Sequence, residues 1–251
     1  MDAPEPFKPL KEDWSRALAI VAHPDDMEFG AAAAVARWTD QGKWIGYVMV
    51  TSGEAGIDAI HPDECRVIRE KEQIDSARIV GVDTVEFLGF PDGILQYGLD
   101  MRRAIARMVR KYQPEIVITG NFRDAWGSGN LNQADHIATG RSLVDAVRDA
   151  GNRWVFNDQL VDGLETWGGV REVWAFGSPL SQHAIDTTAT FDRGVDSLKA
   201  HRAYLDGLGW DDFDEREFLE GMARPTGTRL GVPLAAAFEV IPFHFGGDEE
   251  E

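Results

Sequence analysis

The feature that most restricts what this chain can fold into is an alternation. Through the first 150 residues, short runs that read as buried strands take turns with amphipathic helical stretches. Ala17 to His23 (ALAIVAH) is an apolar run with β-branched residues, and an alanine-rich helical stretch follows from Phe29 to Gln41. WIGYVMVTSG reads as the next strand, and Glu64 to Val80 has helical periodicity, with Val67, Ile68, Ile74, Ala77 and Ile79 near one face. TVEFLGF gives a third strand, Met101 to Tyr112 a helix, EIVITG a fourth strand, and Ala134 to Ala150 a further helix after a long polar loop. Strands separated by helices of this length pair in parallel through right-handed crossovers. The pattern therefore predicts an α/β, Rossmann-like layered fold with a mostly parallel sheet.

Beyond about residue 150 the pattern is less regular. REVWAFGSP and AIDTTATF read as shorter strands, Asp192 to Leu208 as a helix, and LAAAFEVIPFHF as a closing strand. The expectation is a single domain over 1–251, with a motif-rich core at about 14–150 and an irregular C-terminal extension of that domain at about 151–245. The final GGDEEE reads as a solvated tail.

Ligands of open α/β sheets bind outside the carboxyl ends of the strands, and the chemically informative residues cluster there. His23, Asp25 and Asp26 follow the first strand, Ser52 to Gly56 the second, Phe90 to Gly93 the third, and the Asn121 to His136 loop the fourth. In His23-Pro24-Asp25-Asp26-Met27-Glu28, a histidine and three acids lie within six residues. A catalytic zinc site needs about three His or Asp/Glu ligands and an open position for water. His23 and one aspartate supply two, and a distant histidine must supply the third. The plainer reading is that these acids cap the following helix, a task that calls for one acid and no histidine.

The segment resembles the first motif of the PIG-L/LmbE-like N-acetylglucosaminyl deacetylases, His-Pro-Asp-Asp with an acid close behind. Thr51-Ser52-Gly53-Glu54-Ala55-Gly56 is similar to that family's Gly-Glu-Ala-Gly turn, Arg69-Glu70-Lys71-Glu72 to its Arg-x-x-Glu helix, and Leu88-Gly89-Phe90-Pro91-Asp92-Gly93 to its Leu-Gly-x-x-Asp-Gly turn, in the same order. The resemblance implies one Zn²⁺ per chain held by His23, Asp26 and His136, with Asp25 as general base. It implies hydrolysis of an N-acyl, chiefly N-acetyl, group on a small amino-sugar-type substrate, and leaves homo-oligomerisation open. The family's second motif, His-Pro-Asp-His, is altered here to Gln133-Ala134-Asp135-His136. An amide at Gln133 can donate a neutral hydrogen bond to an oxyanion and cannot deliver a proton. Two consequences stay open: Asp25 serves as both base and acid, or the chain is a weakened or non-catalytic zinc- and sugar-binding relative.

Other residues carry alternatives. Arg69 is either a substrate anchor or a solvated helix residue; Asp92 binds substrate, supports the ligands or makes an ordinary turn; Asp135 orients a ligand histidine or caps its helix. Glu28 is expected to support the ligands rather than bind metal, Glu54 to orient a turn, and Trp126 to wall the pocket. His201 has no assignment, and His61, His183 and His244 read as surface or packing residues.

Acidic residues outnumber basic ones 43 to 25, a formal charge of −18. Such a surface repels phosphate backbones and anionic lipid, which argues against nucleic acid or membrane as partner. No apolar run reaches the ~20 residues of a membrane span, the first residues lack a signal-peptide layout, and Cys65 alone cannot form an internal disulfide. These features predict a cytoplasmic protein. A metal-dependent phosphoesterase is the main rival enzyme, though few other histidines lie near strand ends to build a second metal site. A dinucleotide site is disfavoured because HPDDMEFG contains no G-x-G-x-x-G.

Overall fold

The computed structural model describes residues 5–127, 129–210 and 212–243. Its elements run β1 (Lys8–Pro9), β2 (Arg16–Val21), α1 (Ala32–Asp40), β3 (Trp44–Met49), α2 (Pro62–Ile79), β4 (Thr84–Phe87), α3 (Leu99–Tyr112) and β5 (Ile116–Gly120). They continue with α4 (Ala134–Gly151), α5 (Asp158–Val161), β6 (Glu172–Phe176), β7 (His183–Asp186), α6 (Phe191–Lys199), α7 (Arg202–Gly207), α8 (Glu215–Leu230) and β8 (Ala235–Pro242). His244 and the closing GGDEEE lie outside the described residues.

Among the described residues, eight strands form one sheet in the order β1-β7-β8-β6-β5-β2-β3-β4. All pairs are parallel except the two made by β8, which runs antiparallel between β6 and β7. The α/β layered fold expected from the alternation is the one adopted, and both halves of the chain contribute strands to the same sheet.

The β2 strand shows how the layers form. Successive side chains leave a strand on opposite faces. Ala17, Ala19 and Val21 pack with Val35 and Trp38 of α1, while Leu18, Ile20 and Ala22 pack with Ile105 of α3 and Leu143 of α4. A strand buried on both faces needs apolar side chains at every position, which is why ALAIV reads as an unbroken run. Trp14, Trp38, Trp174 and Phe238 meet at centroid distances of 5.4–6.1 Å on the α1 face. These aromatics tie the N-terminal segment to the C-terminal strands.

The topology fixes where a ligand can sit. From β2 the chain crosses to β3 and on to β4 on one side, then returns to β5 on the other side of β2. The loops leaving β2 and β5 consequently diverge, opening a crevice at the carboxyl ends of adjacent strands. Those loops carry His23–Glu28 and Asn121–Gln133.

Several elements differ from the sequence expectation. The first helix begins at Ala32 rather than Phe29 because residues 24–31 form successive turns, with Glu28 and Phe29 amides donating to the Asp25 carbonyl and Ala31 and Ala32 amides to that of Met27. The helix expected over Asp192 to Leu208 breaks between Lys199 and Arg202, where His201 is wholly buried. The strand at AIDTTATF ends at Asp186, whose carboxylate takes up the Thr188 amide and hydroxyl. Helix α8 has no counterpart in the pattern of the sequence. Its N-cap, Asp214, accepts the Glu217 amide at 2.8 Å, but its hydrophobic periodicity is interrupted by glycines and Pro225.

Candidate active site

Asp26 organises the loop after β2. Its Oδ2 accepts the His23 backbone amide at 2.9 Å, closing a tight turn. Its Oδ1 is left facing two imidazoles, 3.0 Å from His136 Nε2 and 3.7 Å from His23 Nδ1. Ligand atoms of His23, Asp26 and His136 all lie within 4.8 Å of one another, although 110 positions separate Asp26 from His136.

Each imidazole is held from behind. Asn132 donates its amide nitrogen to the carbonyls of Asn121 and Arg123 at 2.8 and 3.0 Å, which fixes the orientation of its side chain. The Asn132 Oδ1 therefore accepts, from the Gln133 backbone amide at 2.8 Å and from His136 Nδ1 at 3.0 Å. With its proton on Nδ1, His136 aims an Nε2 lone pair at the Asp26 carboxylate. That arrangement is repulsive unless a proton or a metal cation lies between the two atoms. On His23, Nε2 faces Asp135 Oδ2 at 3.3 Å and Asp92 Oδ1 at 3.1 Å.

A second possible ligand group, His23 with Asp92 and Asp135, is less suited to a metal. Asp135 already accepts the Gly93 and Leu95 amides at 2.8 and 3.0 Å, and Asp92 Oδ2 accepts the Ala55 amide at 2.8 Å. These carboxylates hold loops and fix the His23 ring, as outer partners of metal-binding histidines do. Asp135 makes no cap to α4.

The electrostatics fit a cation as well. Asp25, Asp26, Asp92 and Asp135 converge on two imidazoles and the Arg69 guanidinium. Burial disfavours charge on Asp26, but His136 and His23 outweigh it and hold its carboxyl well below the usual range. Burial likewise works against the His23 imidazolium, and contacts with Asp135, Asp26 and Asp92 nonetheless push it well above its ordinary value. Two imidazoles and a carboxylate, each oriented by a partner, form a donor set suited to Zn²⁺.

Asp25 has a different environment. Its backbone amide donates to Gln73 Oε1 at 2.8 Å, and its Oδ2 accepts from Arg69 Nη2 at 2.9 Å. Burial is the largest influence on its carboxyl, and with the Asp26 charge it raises the pKa to about 6 against the pull of Arg69. Arg69 is not a solvated helix residue: it is 1 % exposed, also donates to the Pro24 carbonyl, and lies over the Tyr204 ring at 3.7 Å. It reaches the cavity wall, yet its hydrogen bonds go to Asp25 and Pro24, so it positions Asp25 more directly than it could anchor a substrate.

Helix α2 holds Asp25 through a buried polar face, Arg69, Gln73 and Ser76, at i, i+4 and i+7. Its sequence periodicity suggested an apolar face including Val67, but Val67 is 66 % exposed. The polar stripe continues inward: Gln73 and Ser76 donate to Glu28 Oε1 at 3.0 and 2.7 Å, and His201 Nε2 lies 3.6 Å from Glu28 Oε2, too long for a hydrogen bond. Burial would raise the Glu28 carboxyl, but His201, Ser76 and Gln73 together lower it.

The remaining expectations distribute as follows. Glu54 holds its turn through the Ser52 and Asp92 amides. Trp126 stands edge-on to His136 at 6.0 Å, in the cavity wall. Gln133 lines that cavity and makes no capping hydrogen bond. Sequence reasoning missed Asn132, Gln73 and Tyr204. Of these, Gln73 left a trace, standing one helical turn beyond Arg69; Asn132 and Tyr204 act through tertiary contacts that spacing does not show.

An α/β sheet with a candidate metal centre at the carboxyl ends of its strands is the class that this fold and residue set define, and comparison with known proteins gives it a family. Residues 18–147 match the model of the GlcNAc-PI de-N-acetylase (PIG-L) family, more than half of the chain, and the chain belongs to that family of N-deacetylases. It is 25% identical over 240 residues to a diacetylchitobiose deacetylase of Thermococcus kodakarensis, covering 95% of this chain and 86% of the relative. The fold is shared with the N,N'-diacetylchitobiose deacetylase of Pyrococcus horikoshii (TM-score 0.83, 24% identity, 95% of this chain and 89% of that one). It is also shared with 4-carboxy-2-hydroxymuconate hydratase from Pseudomonas putida (TM-score 0.76, 19% identity, 93% and 99%). A fold that hosts a hydratase as well as deacetylases does not by itself select a reaction.

Proposed function

We propose that this protein is a zinc-dependent hydrolase that removes the acetyl group from the nitrogen of a small N-acetylated amino sugar or its conjugate. The observation that carries the reading is the convergence of His23, Asp26 and His136 beside a buried Asp25 that Arg69 and Gln73 hold in place. The relatives' action on diacetylchitobiose supports the substrate class.

His23, Asp26 and His136 would hold one Zn²⁺, which when bound supplies Lewis-acid polarisation of the amide carbonyl and of water. Asp25 takes the proton of the attacking water, a task suited to a buried carboxylate that Arg69 and Gln73 hold beside the metal ligands. The same Asp25, now protonated, returns the proton to the nitrogen as the carbon–nitrogen bond breaks, so that amide and water become acetate and a free amine. Gln133 donates a hydrogen bond to the amide oxygen as negative charge gathers there. Arg69 keeps Asp25 oriented throughout. The lone cysteine supports a reducing, cytoplasmic location, and no helix among the described residues is long and apolar enough to cross a membrane.

The direct test incubates zinc-loaded protein with N-acetylglucosamine glycosides and reads acetate and new primary amine. Loss of a general base costs roughly 10²–10⁴-fold, so Asp25→Asn should lower turnover by at least about a hundredfold. Undiminished turnover in that variant would remove Asp25 from the mechanism.

A further inference from the structure

The site occupies only part of its cavity, whose volume is about 910 Å³. Pockets of roughly 300–1,000 Å³ accommodate drug-sized ligands, so there is room well beyond one acetamido sugar. The rest of the wall comes largely from the C-terminal third, with Phe191 of α6, Trp210, and Phe218, Leu219 and Met222 of α8. Among the described lining residues beyond Phe176, no side chain is charged, and the ones with a polar group are Thr187, Tyr204, Thr226 and, through its indole N–H alone, Trp210. The Thr226 hydroxyl is already donated to the Met222 carbonyl at 3.0 Å, and Tyr204 lies against Arg69.

Helix α8 presents two adjacent rows to this region. Leu219 and Ala223 are buried in a cluster with Phe191 and Leu198, whereas Phe218 and Met222, one turn apart, are 39 % and 44 % exposed. Phe218 also meets Phe29 at 5.6 Å, a residue of the loop that carries Asp25 and Asp26. The apolar wall is therefore continuous with the reaction centre.

We propose that this wall receives an apolar group of the substrate, an alkyl or aryl substituent carried by the N-acetylated amino sugar, in place of a second sugar. The proposal rests on the deacetylase reading for the sugar half of the ligand. A second sugar would bring several hydroxyls against a surface with few free partners, and an unpaired buried hydroxyl is costly. An apolar group would instead release water from the exposed Phe218 and Met222 side chains.

The test is calorimetric binding of the methyl and hexyl glycosides of N-acetylglucosamine, and of N,N'-diacetylchitobiose, to the intact protein. Each methylene removed from water multiplies affinity by up to about fourfold, so the hexyl glycoside should bind at least about tenfold tighter than the methyl one. In the double variant Phe218→Ser, Met222→Ser that advantage should shrink to about threefold or less. Equal affinity for the two glycosides, tighter binding of the disaccharide, or a hexyl advantage undiminished in the variant would each overturn the proposal. Amine release from the same compounds is scored separately. If none is deacetylated the catalytic reading fails, while the binding ratio still decides what the wall accepts.

Discussion

Asp25 adopts φ = +91°, one of four positive-φ positions among the described non-glycine residues. An L-residue there is strained by on the order of 1 kcal/mol. The strain is sustained because Gln73 takes its amide, Arg69 takes its carboxylate, and two following amides donate to its carbonyl. Replacing the side chain removes the carboxylate partner of Arg69 in either case, so Asp25→Gly and Asp25→Ala differ mainly in backbone freedom. Glycine should be the more stable by about 1 kcal/mol in urea unfolding, with both variants inactive; equal stability would show the backbone to be unstrained. The titration of Asp25 gives a second residue-level prediction. Its carboxyl is raised from the ordinary range to about 6, so the folded state prefers it protonated. That stabilising contribution is complete below about pH 4 and is lost as pH rises through 6. In metal-free protein, the melting temperature of the native chain should fall relative to Asp25→Asn between pH 4 and 7. A constant difference would contradict the raised value.

At the scale of elements, the site depends on how closely α4 approaches β5. Gly140 lies against Phe122, and an added Cβ would overlap that side chain. Gly140→Ala should move the helix that carries His136 away from the loop that carries Asn121 and Asn132, costing about 1–3 kcal/mol as overpacking does. The expected readout is a lower melting temperature together with reduced turnover; a variant unchanged in both would show that this contact does not set the register. The elements also show what was legible beforehand. Strands β2, β3 and β5 are buried on both faces, so every residue reports the same environment and the runs stand out. The buried face of α2 was misread because it covers the site, where hydrogen-bonded polar groups replace apolar ones. The break at His201 arises from a ring drawn towards Glu28, 173 positions earlier in the chain, and α8 gains its burial from the α6 cluster. Neither cause is local, so neither leaves a local pattern. His23, Asp25 and Asp26 were legible because they follow a clear strand, and their partner His136 through its motif, whereas Asn132 and Tyr204 become meaningful only in three dimensions.

At the scale of the whole molecule, the strand order brings two loops from adjacent parallel strands to one crevice, and the reading of function depends on what they do there together. The formal charge of −18 favours cations over phosphate-rich partners in general, but a specific metal site requires the convergence itself. Zinc titration of metal-free protein against a competing chelator tests that convergence most directly. The account predicts one Zn²⁺ per chain, with His136→Ala and Asp26→Asn binding far more weakly. Asn132→Ala, which removes the acceptor behind His136 together with the side-chain hydrogen bonds to the Asn121 and Arg123 carbonyls and the Gln133 amide, should lose affinity by at least the roughly 10–100-fold typical of such outer partners. Zinc bound by His136→Ala with the affinity and stoichiometry of the native chain would contradict the account.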